Sequence, residues 1–357
     1  MSPRSRAGNA RGFAGRLVLL VLVVAVFSGG WLWLGYRSFA DASMTGIEAG
    51  DSLVVERGDS LDAVLRRLRA SGVATGDRVR WQLLAREIGA AGRLQVGEYA
   101  LKPGIAPREL LVAMRDGKVI RRMFTIVEGW NMREVRAALA RADGLEHDTA
   151  RLDDAALMKA LDVAGQHPEG RFLPETYAWV RGDSELDILK RAHAAMAEAL
   201  DRAWKARADG LPLDSKNAAL TLASIVEKET GMAEERPVIA GVFVRRLQSG
   251  MRLQTDPTVI YGVGTAYTGN IRRVDLTTDT PYNTYTRVGL PPTPIAMPGE
   301  AALQAATRPA PGDTLYFVAV GDGSGRHVFS RSLAEHNNAV REYLQRYRAQ
   351  RQAAPTP

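Results

Sequence analysis

Cysteine is absent from this 357-residue chain. Disulfides, thiolate nucleophiles and cysteine-ligated metals are therefore excluded, and an oxidising compartment would create no mispaired bridges. Histidine is scarce: His147, His167, His193, His327 and His336 show no metal-ligand spacing such as His-Glu-x-x-His. Neither a metal nor a cofactor is expected. No lysine has a serine three residues before it, and Ser224 and Lys228 stand four apart, which excludes the Ser-x-x-Lys pattern of acyl-serine enzymes. Gly262-Val-Gly264 and Gly321-Asp-Gly323 lack the strand-to-helix setting of a nucleotide loop and read as turns. Acid is missing from the first 37 residues, which hold Arg4, Arg6, Arg11, Arg16 and Arg37. Removing those five leaves 42 basic against 40 acidic residues, a charge of +2, so most of the formal charge of +7 belongs to the N-terminus. No basic domain remains to argue for nucleic acid. With 46% apolar and 24% charged residues the composition is that of a globular protein, long enough for two domains beside a targeting segment.

What is present begins with a membrane signal. Residues 17–36 form an uncharged run of 20 residues, about 30 Å as a helix, which matches the hydrocarbon core of a bilayer. Four arginines precede it, so the positive-inside rule puts residues 1–16 in the cytoplasm and everything after Tyr36 across the membrane. A cleaved signal peptide is the rival reading, since a basic segment, an apolar stretch and the small residues Ser28-Gly-Gly30 occur in that order. Against it, hydrophobicity resumes at once in Trp31-Leu-Trp-Leu34, and aromatics suit the far interface. A single-pass anchor is the favoured reading. Both readings place the working part outside the cytoplasm.

A linker over 37–50 leads to two soluble parts of an α+β protein. Residues 51–121 read as strand, helix, helix, strand, helix. Asp59-Ser60 caps a helix whose Leu61, Val64, Leu65 and Leu68 share a face, and Gly72 ends it. Asp77 opens a second helix carrying Val79, Leu83 and Leu84; residues 97–104 give a short strand and turn; Pro107 opens another helix. With Val55-Glu-Arg-Gly-Asp-Ser-Leu61 before the first helix, the segment resembles a LysM-like glycan-binding module. A small α+β packing module is the alternative. Residues 122–348 form the larger part, with helices expected near 132–142, 185–206, 218–230 and 237–249, a hairpin joining 314–320 to 326–330, and a terminal helix carrying Leu333, Val340, Tyr343, Leu344 and Tyr347. Residues 349–357 read as a flexible tail. Residues 252–298 are rich in Thr, Asn, Pro, Gly and Tyr with little periodicity, the mark of functional loops inside a compact domain.

Glu229, in Ala223-Ser-Ile-Val-Glu-Lys-Glu-Thr-Gly231, is the most informative residue. At ~100° per residue, Ala218, Leu222, Ile225, Val226 and Glu229 fall on one helical face. Ser224, Glu227 and Lys228 fall on the other, with Thr221 at the edge. A charge in an apolar stripe costs energy unless paired, and its pKa tends to rise, which makes a carboxylic acid able to donate a proton near neutral pH. An ordinary ion-pair partner at a helix end is the competing explanation.

Downstream stand Arg252-Leu-Gln-Thr-Asp-Pro-Thr-Val-Ile-Tyr-Gly262, Pro281-Tyr-Asn-Thr-Tyr-Thr286 and Gly289-Leu-Pro-Pro-Thr-Pro-Ile-Ala-Met-Pro-Gly299; Val127-Glu-Gly129 and Glu169-Gly-Arg-Phe-Leu-Pro-Glu-Thr-Tyr177 come before, and Glu335-His-Asn337 late. In this order the set resembles the YceG-like endolytic murein transglycosylase family, over nearly the whole chain. The resemblance makes Glu229 the catalytic residue, the same one that periodicity selects, and leaves Glu227 as a surface or orienting carboxylate. It implies non-hydrolytic cleavage of the MurNAc-β-1,4-GlcNAc bond within peptidoglycan glycan strands, leaving 1,6-anhydro ends and terminating glycan elongation. It also implies a bacterial cytoplasmic membrane location and peptidoglycan synthases as partners. Gln254, Thr255, Asp256, Tyr261, Asn283 and Tyr285 are candidates to hold the glycan, although Asp256 before Pro257 also suits a plain turn and Tyr261 a core position. Two alternatives stand beside this: a muramidase using Glu229 and Asp256 as a carboxylate pair, and a membrane-anchored glycan-binding scaffold without catalysis.

Overall fold

The computed structural model describes residues 8–73 and 76–353. The first seven residues of the expected cytoplasmic segment and residues 354–357 of the expected tail lie outside them. The chain divides into two units. The first comprises residues up to Arg122 together with Val180–Gly182, and the second takes residues 123–179 and 183 onward.

The first unit starts with one continuous helix, α1 (Gly8–Asp41). It runs beyond the apolar stretch at both ends, so part of the expected linker is helical. Its portion Gly15–Asp41 is long and apolar enough to cross a membrane, by length and composition. There follow β1 (Ser52–Val55), α2 (Leu61–Ala70), α3 (Arg78–Glu87), β2 (Gly97–Ala100) and α4 (Pro107–Asp116), in the expected order of types. The Ser60 and Asp77 side chains cap α2 and α3, each accepting a hydrogen bond from a first-turn N–H. The two strands pair antiparallel, Ser52 opposite Ala100 and Val55 opposite Gly97. One expectation fails on α3. Its buried face carries Trp81, Leu84 and Ala85, while Val79 and Leu83 point outward. Trp81, Leu84, Ala85 and Ile88 share a helical face, and burying an indole removes far more apolar area from water than burying Val79 would.

The second unit contains β3 (Arg122–Thr125) from its second residue on, α5 (Met132–Leu139), α6 (Asp154–Ala160), β4 (Thr176–Trp179), α7 (Glu185–Lys205), α8 (Lys216–Glu229), α9 (Arg236–Gln248), α10 (Asp256–Val263), α11 (Arg273–Thr277), α12 (Glu300–Thr307), β5 (Tyr316–Ala319), β6 (His327–Ser330) and α13 (Leu333–Ala353). Strands β3 and β4 pair with each other, and β5 and β6 form the expected antiparallel hairpin. Helix α13 continues past residue 348. Residues 252–298 are less irregular than their composition suggests, since α10, a 3-10 turn at Gly264–Ala266 and α11 lie within them.

Helix α8 is the centre of this unit, packed by α7, α9, α10 and α12. Every residue from Ala219 to Val226 is buried. Little of the expected polar face therefore exists: of Ser224, Glu227 and Lys228, Lys228 alone is exposed. Ser224 is fully buried; its hydroxyl donates to the Thr221 carbonyl at 2.7 Å and accepts from the Ile295 N–H at 3.0 Å. Helix α12, with Ala302, Leu303, Ala305 and Ala306 turned inward, supplies the second wall that periodicity along α8 alone does not reveal. Leu220, mid-helix and fully buried, tests this arrangement. Leu220→Ala is expected to lower unfolding free energy by about 2–5 kcal/mol in a chemical denaturation experiment. A loss below about 1 kcal/mol would mean that α8 is not the central element.

Candidate active site

Glu229 is the last residue of α8, and its carboxyl opens on a cavity of about 510 Å³. The cavity wall is drawn from far-apart segments: Arg246 of α9, Leu253 and Gln254 before α10, Asp256 at its start, Tyr285, Tyr316 of β5, and His336 and Asn337 of α13. Burial pushes the Glu229 carboxyl up to about 7; the Thr255 hydroxyl and the Arg246 charge oppose that rise, and the Asp256 charge adds to it. The group is therefore an acid near neutral pH with access to a cleft.

Thr255 donates its hydroxyl hydrogen bond to Glu229 Oε1. That hydroxyl is held in place by a buried threonine cluster. The Thr255 N–H donates to Thr284 Oγ1 at 3.1 Å, Thr258 Oγ1 lies 2.9 Å from Thr284 Oγ1, and the Thr258 hydroxyl donates to the Thr255 carbonyl at 2.8 Å. Gln254 just before it has φ +49°, a region that non-glycine residues rarely occupy. Its N–H donates to the Thr284 carbonyl at 3.1 Å. That bond and the Thr255 N–H bond on its other side enforce the strained conformation beside the acid.

Arg246 is buried, donating to the carbonyls of Leu253 and Leu315, each at 2.7 Å, and its guanidinium lies 5.1 Å from the Tyr316 ring centroid. His336 stacks on the same ring, 5.2 Å between centroids. Burial, helped by the Arg246 charge, holds its imidazole below the usual range and hence neutral at pH 7. His336 Nδ1 is buried without a hydrogen-bond partner.

Three expected glycan contacts do not line this cavity, and the first is Thr255, buried with its hydroxyl on Glu229. Asn283 is buried and donates its amide to the carbonyls of Asp275, Leu276 and Thr278, while its Oδ1 accepts from the Tyr285 N–H. It shapes the loop that carries Tyr285. Tyr261 lines a separate cavity of about 410 Å³, packs against Tyr282, and donates to Glu169 Oε2 at 3.0 Å. Gln254, Asp256 and Tyr285 do line the Glu229 cavity, the Tyr285 hydroxyl donating to Asp256 Oδ1 at 2.5 Å. Glu227 is no surface residue. Its side chain is 4% exposed, accepts the Gly299 N–H at 2.9 Å and pairs with Arg236 at 3.3 Å.

Burial raises the pKa of three carboxyls, Glu169 (to about 7), Glu227 and Glu229. Glu169 is sealed in, holding the Met132 N–H at 3.1 Å. Of the three, Glu229 is the one that lines the cleft. Arg246 and His336 have no part in the expectations from sequence. Yet Ile239, Val242, Phe243 and Arg246 follow the same i, i+3, i+4, i+7 spacing that singled out Glu229, and His336 lies within Glu335-His-Asn337. Among the described residues, no group of three or more His, Cys, Asp or Glu side chains converges to hold a metal ion.

The YceG-like family model matches residues 53–342, well over half of the chain. The chain belongs to that family. Its relatives include the endolytic murein transglycosylase of Bacillus subtilis (strain 168), 31% identical over 307 residues that span 81% of this chain and 84% of that protein. The endolytic murein transglycosylase of Streptococcus pneumoniae serotype 2 (strain D39) is 27% identical over 288 residues, 70% of this chain and 51% of the relative. The chain thus matches about half the length of the pneumococcal protein. A 2.6 Å crystal structure of a YceG-like protein from Listeria monocytogenes superimposes with a TM-score of 0.51 at 28% identity, covering 81% of this chain and 98% of that one.

The Thr255 contact can be tested directly. Its hydroxyl stabilises the ionised Glu229, so Thr255→Val is expected to raise the Glu229 pKa further. The alkaline limb of the pH–rate profile should move to higher pH. An unmoved limb would show that the contact does not act on the acid.

Proposed function

We propose that this protein is a peptidoglycan lytic transglycosylase in which Glu229 acts first as acid and then as base. The observation that carries the reading is one carboxyl, titrating near 7, opening on a cleft in a chain of this family. Glu229 protonates the glycosidic oxygen of the MurNAc-β-1,4-GlcNAc bond as the C1–O bond breaks. The resulting carboxylate takes the proton from the muramyl C6 hydroxyl, whose oxygen closes on C1 to give the 1,6-anhydro end. No water enters, and one carboxyl serves both steps because the nucleophile belongs to the substrate. Thr255 and Arg246 favour the carboxylate formed midway. Gln254, Asp256, Tyr285, Tyr316, His336 and Asn337 line the cleft and are positioned to hold the sugar by hydrogen bonds and stacking. Tyr261 and Asn283 act at one remove, through Glu169 and the Tyr285 loop.

The same reading makes α1 a single-pass anchor with its N-terminus in the bacterial cytoplasm and the catalytic part outside. The LysM-like segment 51–121, with the order β1–α2–α3–β2, serves as a glycan-binding module ahead of the catalytic part 122–348 in the chain. Endolytic cutting of nascent strands, ending their elongation next to the synthases, follows from the same assignment.

Asp256 favours one second reading. It lines the Glu229 cavity and its charge acts on that carboxyl, as a muramidase pair would require. Digestion of peptidoglycan in ¹⁸O-water separates the two: unlabelled anhydro ends support the transglycosylase, and labelled reducing ends establish hydrolysis. Glu229→Gln is expected to lower turnover by ~10²–10⁴ or more with the fold unchanged by circular dichroism. Wild-type turnover in that variant would overturn the assignment of Glu229 as the acid. Activity should also fall as pH rises through about 7, as the acid form is lost.

A further inference from the structure

Val79 and Leu83 stand one turn apart on the outer face of α3, 62% and 49% exposed. Single exposed apolar residues need no explanation, but these two are not isolated. Together with Trp31, Leu32 and Leu34 of α1 they line one groove of about 670 Å³. Helix α3 packs directly on α1, with Phe39 edge-on to Trp81 at 5.5 Å between centroids. The inner face of α3 closes the core of the first unit, so the outer face is an amphipathic surface in its own right. Its apolar pair is bordered by Arg78, Arg80 and Arg86, all exposed, two of them also bridging to Asp62 and Asp77.

Position along α1 decides what covers this face. The groove runs beside residues 31–38 of α1, a rise of about 10 Å. The uncharged run ends at Tyr36, so the groove straddles the level at which hydrocarbon gives way to head groups, where tryptophans concentrate. An apolar stripe with basic borders at that level has the composition of a helix lying in the membrane interface.

We propose that α3 is an interfacial helix, with Val79 and Leu83 seated among the acyl chains of the extracytoplasmic leaflet and Arg78, Arg80 and Arg86 among lipid phosphates. The occupant of the groove is bilayer phospholipid. The first unit is thereby held flat on the membrane by two contacts, the spanning helix and α3. This rests on reading α1 as a membrane anchor, which a separate position tests.

The absence of cysteine makes single-site labelling clean. The full chain carrying Leu83→Cys, labelled with an environment-sensitive fluorophore, is reconstituted in phosphatidylcholine–phosphatidylglycerol vesicles with brominated acyl chains. Val24→Cys in α1 and Arg57→Cys in the exposed turn after β1 are the companions. Quenching is expected at positions 24 and 83 and not at 57, with the signal at 83 weakened when phosphatidylglycerol is left out. Quenching at 24 with position 83 behaving like 57 would overturn the proposal while leaving the anchor intact. A label at 83 shielded from aqueous iodide yet untouched by brominated lipid would mean that a second copy covers the face, which also overturns it. No quenching at 24 would remove the anchor reading and the proposal together.

Discussion

A half-buried carboxyl that opens on a cleft at the end of a buried helix is the constraint on which the second unit depends. Ionising such a group in a low-dielectric site carries a large penalty, so the protein holds it as a neutral acid with its pKa near 7. That condition requires α8 to be enclosed up to its final turn, which α9, α10 and α12 achieve. It also requires a partner strong enough to receive the charge when it forms and weak enough not to fix it beforehand. A hydroxyl meets both demands. Thr255 supplies it, and the threonine cluster behind it removes the freedom that an isolated hydroxyl would have.

Three buried carboxyls show how surroundings divide the same chemistry. Glu227 sits two residues from Glu229 but faces Arg236 and the Gly299 N–H, so it joins α8 to the start of α9 and to the turn before α12. A side chain at Gly299 would collide with the Glu128 carboxyl, so this meeting point has no room for one. Glu169 holds the first N–H of α5 and the Tyr261 hydroxyl, and it takes no part in the cleft wall. Glu229 alone of the three lines the cavity beside Gln254 and Tyr285. A raised pKa marks all three; access to the cleft separates them.

The first unit shows the complementary case, in which exposure carries the information. Helix α3 chooses Trp81 over Val79 and Leu83 for its inner face, because the larger ring brings more apolar area out of water. The residues left outside would be a liability in free solution, and they adjoin a helix long and apolar enough to cross a membrane.

Much of this protein was legible along the chain because its signals are local. An uncharged run, the caps Ser60 and Asp77, the proline that opens α4, and the spacing that put Glu229 among apolar residues each depend on neighbours within one or two turns. The hairpin of β5 and β6 belongs to the same class. What tertiary structure decided depends on segments distant in sequence. Helix α12 begins only at Glu300, far beyond the end of α8 at Glu229, yet it turns most of the supposed polar face into core. That is why Ser224 and the Glu227 side chain are buried and not solvated. The cavity brings Glu229, Arg246, Tyr285 and His336 together from four separate segments, and no periodicity within one element encodes that meeting. For the same reason Asn283 and Tyr261, polar and aromatic in a promising segment, turned out to serve a loop and a second cavity: composition shows what a side chain can bond, and only packing selects which partner it reaches.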